Sequence, residues 1–230
     1  MEFDKFLKQE DLKGWWALSR HASLSFGERA CSFFEAGETL PTAVVLTADS
    51  SGYVEVLNEQ ATQDILVDTK GTHFPWKRKR IPQLMGETLS RCNINFQPEV
   101  VLGSCEALAL YFGGGWCPAC RTFKPKIMQA YSELDHQYHE RFALVYISRD
   151  PDQSSFDAYT SDMGCFLLPH SNHTANEALC AHFKVEAIPT VILLRRDPYT
   201  GDFVLVPNGK NARAIFSQNP TEVARGFPWG

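Results

Sequence analysis

The sequence of 230 residues predicts an α/β fold in which helices flank a central mixed sheet, with one complete unit preceded by part of a second. Three observations predict it. EALALYF at 106–112 and RFALVYIS at 141–148 are apolar runs of strand length, and a helical pattern separates them. PTVILL at 189–194 is followed by GDFVLVP at 201–207, a plausible antiparallel partner. Finally, the chain repeats itself. FDKF at 3–6, PTAVVL at 41–46, GYVEVL at 52–57 and HFPWK at 73–77 recur in the same order as FDAY at 156–159, PTVILL, GDFVLV and GFPWG at 226–230.

The second unit is the longer one. Residues 92–103 suit an edge hairpin or strand. The strand at 106–112 ends at Gly113, Gly114 and Gly115, so it opens into a loop. A helix starts at Pro118, since Phe123, Ile127, Tyr131, Leu134 and Tyr138 recur at spacings of three or four and line one face. Pro125 inside that pattern should bend it. After the strand at 141–148 come a turn at RDPDQS and a short helix at 154–162. NHTANEALCAHFKV at 172–185 carries cap signals and a further helical pattern. Residues 211–225 read as a closing helix broken at Asn219-Pro220.

By the same reading, residues 1–76 hold a helix from Phe3, another near 28–34, strands at 43–47 and 53–57, and a helix near 59–66. They resemble the back half of the second unit, with the front half and its cysteine pair absent. We therefore expect an inactive half-domain at 1–76, a basic linker at 77–84 and a complete domain at 85–230. Met1 falls where the first copy is half begun, which fits an evolved half-domain and a shortened gene model alike. A half-sheet leaves an unpaired edge, expected to pack on the second domain or on a partner chain.

Composition narrows the function classes. Twenty-seven acidic residues against 22 basic give a net charge of −5, which argues against a broad nucleic-acid surface. No apolar run is long enough to cross a bilayer, and the N-terminus MEFDKFLKQEDLKG is charged where a secretory leader is apolar. The expectation is a cytoplasmic protein. KRKR at 77–80, after Trp76, reads either as a solvated linker or as a nuclear-localisation or phosphate-binding patch. No glycine-rich nucleotide fingerprint is present, so the electrons of any redox reaction would come from another protein or a small dithiol.

Seven cysteines stand at 31, 92, 105, 117, 120, 165 and 180. Their spacing is irregular, and most suit the role of small buried hydrophobes. Cys117-Pro118-Ala119-Cys120 is different. It lies where strand gives way to helix, and two thiols on one helical turn can reach disulfide geometry. The free N–H groups and dipole of the first turn favour a thiolate at Cys117, and Pro118 fits there because its missing N–H costs nothing. Cys117 can attack a substrate disulfide, and Cys120 can resolve the mixed disulfide. Trp116 can shield one side and offer an apolar landing surface. A CxxC is also half of a zinc site, but no second pair exists, and His136 and His139 are roughly 20 Å or more along the helix. The other histidines, at 170, 173 and 182, complete no ligand pattern. An inert buried pair is the remaining alternative.

WCPACRTFKP at 116–125, preceded by YF and followed by IPT and FPW, resembles the tryparedoxin and nucleoredoxin branch of the thioredoxin superfamily, whose pattern is close to YFSASWCPPCR. WWAL at 15–18, LPT and FPW of the first copy resemble the back half of such a domain. FPWKRKRIPQLMGETL resembles the linker of tandem nucleoredoxins. The resemblance implies a thioredoxin fold, with Cys117 as nucleophile, Cys120 as resolving thiol and Pro189 as a cis-proline. The backbone at Ile188 would then meet an incoming peptide. Tyr111 stands where thioredoxins carry a buried aspartate, which leaves proton transfer to water or to another carboxylate, and Glu186 is the candidate. Ala119 replaces a proline and Gly164-Cys165-Phe166 replaces a Pro-Trp pair, so the redox poise and the rim should differ from the family's. Cys165 is expected to be buried.

Two functions of different class follow. One is a thiol–disulfide oxidoreductase that reduces client-protein disulfides with electrons from an external dithiol or reductase, without bound cofactor or metal. The other is a redox-sensing or structural module that docks a partner on its thioredoxin-like surface and on the open edge of residues 1–76.

Overall fold

The computed structural model describes residues 45–48, 54–58, 61–67, 70, 72 and 76–229, and the chain divides into two units, Met1–Arg78 and Lys79–Gly230. In the first, β1 (Val45–Ala48) pairs antiparallel with β2 (Val54–Asn58), and α1 (Thr62–Val67) follows. The side-chain amide of buried Asn58 donates to the Trp76 carbonyl (2.9 Å), and the Arg78 N–H donates to the Leu57 carbonyl (2.8 Å). These bonds tie the end of HFPWK to β2. The two helices expected within residues 1–40, Trp15, Trp16 and Cys31 lie outside the described residues.

The second unit begins with α2 (Ile81–Leu84), a hairpin of β3 (Leu89–Arg91) and β4 (Ile94–Phe96), and α3 (Pro98–Gly103). Residues 77–84 were expected to be linker throughout, but Ile81 is buried in this unit's core. Lys77–Arg80 precede the first helix of this unit and are exposed, and Ile81 is the first apolar side chain after the basic run. The central elements are β5 (Ala107–Gly113), α4 (Pro118–Tyr138), β6 (Phe142–Ser148), α5 (Gln153–Thr160), β7 (Phe166–Leu167), α6 (His173–Phe183), β8 (Thr190–Arg196) and β9 (Phe203–Leu205). The strand order is β4-β3-β7-β6-β5-β8-β9. β5, β6 and β7 run parallel; β8 is antiparallel to β5, and β9 to β8.

Every residue of β5 and β6 is buried, which is why both read as continuous apolar runs rather than alternating ones. The alternation lies in which face each residue serves. Ala107, Ala109 and Tyr111 join Phe123, Ile127, Tyr131 and Leu134 of α4 in one core, while Leu108, Leu110 and Phe112 join Leu102, Met85 and Leu179 in the other. α4 runs unbroken through Pro125. Asp152 caps α5 by accepting the Ser155 N–H, and Asn172 caps α6 by accepting that of Ala175.

The closing segment differs from the single broken helix expected. Gly209–Asn211 and Ile215–Ser217 are short 3₁₀ turns, and only α7 (Pro220–Arg225) is α-helical. Between the turns, the Ala212 N–H donates to the Val191 carbonyl of β8 (2.7 Å), which pins this segment to the sheet. Beyond α7, Phe227 stacks on Tyr138 (centroids 4.2 Å apart), and Trp229 packs edgewise on Phe142 (5.7 Å). The final aromatic residues thereby seal the far end of α4.

The β1–β2 and β8–β9 hairpins share a register. Leu46 faces Val56, Thr47 faces Glu55 and Ala48 faces Val54; at the equivalent positions Leu194 faces Leu205, Arg195 faces Val204 and Arg196 faces Phe203.

Candidate active site

The loop after β5 carries the cysteines into α4. Cys117 has extended backbone dihedrals (φ −85°, ψ 116°) and is the N-cap; Pro118 fills the first helical position. The Cys117 sulfur accepts the Cys120 N–H at 3.4 Å, one of the donors that a helix start leaves without an intrahelical partner. Cys117 is 7% exposed and Cys120 fully buried, while Trp116, Pro118 and Ala119 are exposed around them. The Ile188–Pro189 peptide is cis, and the Ile188 carbonyl lies 3.7 Å from the Cys117 sulfur. Cys117, Cys120, Trp116, Pro118 and Ile188 therefore converge. Pro189 is buried beside Ile188, and its carbonyl accepts from Arg213 (3.5 Å).

The two thiols differ electrostatically. Burial by itself opposes ionisation of Cys117. The Cys120 thiol, the N–H groups of Cys120 and Ala119, and the Arg121 guanidinium outweigh it, so Cys117 lies below the ordinary thiol range. Cys120 is pushed up to about 12, first by burial, then by its hydrogen bond with Cys117 and by the negative charges of Cys117 and Asp150. The outer thiol is thus the more readily ionised and the inner one stays protonated.

A polar framework absent from the sequence reading holds this geometry. Ser148–Asp150, at the end of β6, grips the cysteine loop at three points. The Arg149 N–H donates to the Gly113 carbonyl (2.7 Å), the Gly115 N–H donates to Asp150 Oδ1 (2.7 Å), and the Trp116 indole N–H donates to the Arg149 carbonyl (2.9 Å). Asp150 Oδ2 accepts from the Ser148 hydroxyl (2.8 Å). A Cβ on Gly114 would come within 2.8 Å of the indole nitrogen, and one on Gly115 within 3.2 Å of Tyr159, so both glycines permit a close approach that a side chain would crowd. The carboxylate near Cys120 is therefore Asp150 and not Glu186, which is exposed. Glu186 drew notice because it neighbours the proline loop in sequence, whereas Asp150 sits in a stretch that reads only as a turn.

Tyr111 is buried, with its phenol 3.5 Å from the Cys120 carbonyl and 3.0 Å from the hydroxyl of Tyr159. Tyr159, on α5, donates to the same carbonyl at 3.0 Å. Burial raises Tyr159 to about 12 and Tyr111 higher, so both keep their protons near neutral pH. Of the other thiols, Cys165 is fully buried and raised to about 12 by that burial; Cys105 is raised likewise. Among the described residues, no group of three or more His, Cys, Asp and Glu is placed to hold a metal ion, and no helix is long and apolar enough to cross a membrane.

A mixed sheet of this order, with a Cys-x-x-Cys at the head of the helix after its central strand and an Ile–cis-Pro loop opposite, defines a thioredoxin-like protein. A family described as thioredoxin-like matches residues 106–200. Tryparedoxin of Trypanosoma brucei brucei is 35% identical over 133 residues, covering 57% of this chain and 85% of that protein. The chain belongs to the tryparedoxin and nucleoredoxin branch of the thioredoxin superfamily, a superfamily of redox enzymes. Probable nucleoredoxin 1 of Arabidopsis thaliana is 38% identical over 175 residues, 68% of this chain but 29% of that protein. Nucleoredoxin of Bos taurus is 26% identical over 196 residues, 83% of this chain and 40% of that protein. The chain thus spans well under half the length of these two nucleoredoxins. Among solved structures, native tryparedoxin I of Crithidia fasciculata superposes with a TM-score of 0.53 at 28% identity, over 65% of this chain and 96% of that one.

Proposed function

We propose that the protein is a thiol–disulfide oxidoreductase that reduces disulfides of client proteins through Cys117 and Cys120. The observation that carries this reading is the asymmetry of the pair: a slightly exposed, acidified Cys117 capping α4 beside a fully buried, protonated Cys120. Neither an inert pair nor a half zinc site needs that difference. The Cys117 thiolate attacks one sulfur of the substrate disulfide. That S–S bond breaks, one half leaves as a thiolate, and a mixed disulfide forms at Cys117. Cys120 then loses its proton and attacks the Cys117 sulfur. The second half leaves, and a Cys117–Cys120 disulfide remains. Two electrons pass to the substrate, and the two thiol protons balance the two product thiolates. An external dithiol or a reductase protein restores the pair.

Exposed Trp116, Pro118 and Ala119 offer the client its landing surface, and the backbone at Ile188 faces the sulfur it must reach. Residues 41–57 fit a copy of the segment at 189–206, and the shared hairpin register supports that reading. The test is the reduction potential of the pair together with turnover of a model disulfide. A reversible couple, with turnover abolished in Cys117→Ser, supports the oxidoreductase. A pair that no dithiol or disulfide exchanges with would leave the docking-module reading in its place.

A further inference from the structure

We infer that Tyr159 is a positioning residue for the resolving thiol: its hydroxyl holds the Cys120 carbonyl and so fixes the first turn of α4 in the arrangement from which Cys120 attacks. The inference rests on the dithiol reading above.

A backbone carbonyl has two lone pairs. In a helix one receives the N–H four residues on, and at Cys120 the Tyr159 hydroxyl, 3.0 Å away, is placed to take the other. The Tyr111 hydroxyl lies 3.0 Å from that of Tyr159. With Tyr159 donating to the carbonyl, Tyr111 donates to Tyr159, and the chain runs from β5 through α5 to the cysteine turn. Fixing the Cys120 peptide plane fixes the direction of its Cα–Cβ bond, and hence the small set of rotamer positions its sulfur can take.

Tyr159 is itself held from several sides. The Lys124 ammonium donates to its carbonyl (2.6 Å), lies 4.7 Å from its ring centroid, and pairs with Asp162. Gly115, just before Trp116, leaves room against the ring where a Cβ would come within 3.2 Å. A side chain that only filled this space would need no hydroxyl.

The step concerned is the second one. Cys120 forms the bond to the Cys117 sulfur, the bond from that sulfur to the substrate breaks, and the departing thiolate is balanced by the proton Cys120 lost. Loosening the first turn should slow this step and spare the first, in which Cys120 forms no bond.

The experiment mixes the reduced full chain with bis(2-hydroxyethyl) disulfide, quenches with acid over time, and follows the Cys117 mixed disulfide by mass spectrometry. In Tyr159→Phe that species should persist about fivefold longer, the rate equivalent of one net hydrogen bond. The rate of Cys117 alkylation by iodoacetamide should change less than about twofold. Wild-type persistence in the variant would overturn the inference. So would a proportional slowing of both steps with a fallen melting temperature, the mark of a purely structural role. If Tyr159→Phe does not fold, Tyr111→Phe should prolong the mixed disulfide in the same direction, and wild-type persistence there overturns the inference too. If the wild-type chain forms neither a mixed disulfide nor a Cys117–Cys120 disulfide, the dithiol reading itself fails, and the inference with it.

Discussion

Asp150 Oδ1 accepts the backbone N–H of Gly115 at 2.7 Å, so a carboxylate at the end of β6 anchors the loop that delivers Cys117. The same carboxylate adds negative charge beside Cys120 and helps keep that thiol protonated. Asp150→Asn retains an oxygen for Gly115 but removes the charge. Cys120 should then ionise at lower pH. In a Cys117→Ser background, adding Asp150→Asn should speed alkylation of Cys120 at pH 9, and an unchanged rate would remove Asp150 from the electrostatics of the pair.

For Cys117 the sign runs the other way. Its thiol is held below the ordinary range, so the thiolate fraction, and with it the rate of alkylation, should rise and level off at lower pH than for an unperturbed cysteine near about 8.5. Arg121 contributes to that lowering and is exposed. Arg121→Gln should move the midpoint upward, and added salt should move the wild type in the same direction by screening. A midpoint indifferent to both would leave the helix start and the Cys120 thiol as the whole cause.

Gly115→Ala places a methyl group 3.2 Å from the Tyr159 ring and Cβ in a half-buried, hydrogen-bonded setting. Overpacking of this kind costs about 1–3 kcal/mol, readable as a lower urea midpoint. If the loop gives way instead, the loss should be small in stability and larger in the rate at which Cys117 reacts.

Trp229→Ala uncovers Phe142 and Phe216 at the end of α4 distant from the cysteines. With the indole half-buried, about 1–3 kcal/mol of stability should be lost, measured by denaturant titration. The thiol reactivity of Cys117 should stay at the wild-type value, which separates the role of this aromatic seal from that of the site.

The strands and the long helix were legible in the sequence because their signal is local. β5 and β6 are apolar runs and β8 has an apolar centre, and the expected face of α4, Phe123 through Tyr138, is the face that packs inward, buried to Leu134 and half-buried at Tyr138. The cysteine pair was legible because spacing alone brings two thiols onto one turn. Asp150 and Tyr159 were not, because their importance depends on pairings across 35 and 39 residues, and nothing in RDPD or FDAY announces where the side chain points. The closing segment was misjudged for a related reason. Residues 211–218 have an acceptable helical pattern, but the segment is held along the sheet, with the Ala212 N–H on the Val191 carbonyl of β8, a long-range pairing that the local pattern does not show.

The paired hairpins also show where the chain tolerates change. Five residues separate β1 from β2 in the sequence and six, 197–202, separate β8 from β9, yet the strands on either side keep the same partners. The number of connecting residues and the strand register are thus uncoupled. Because β8 runs away from Thr190, beside the proline loop, the 197–202 turn lies at the opposite end of the sheet, about 20 Å from the cysteines by strand rise. A fluorophore or affinity handle grafted there would leave the cysteine site open.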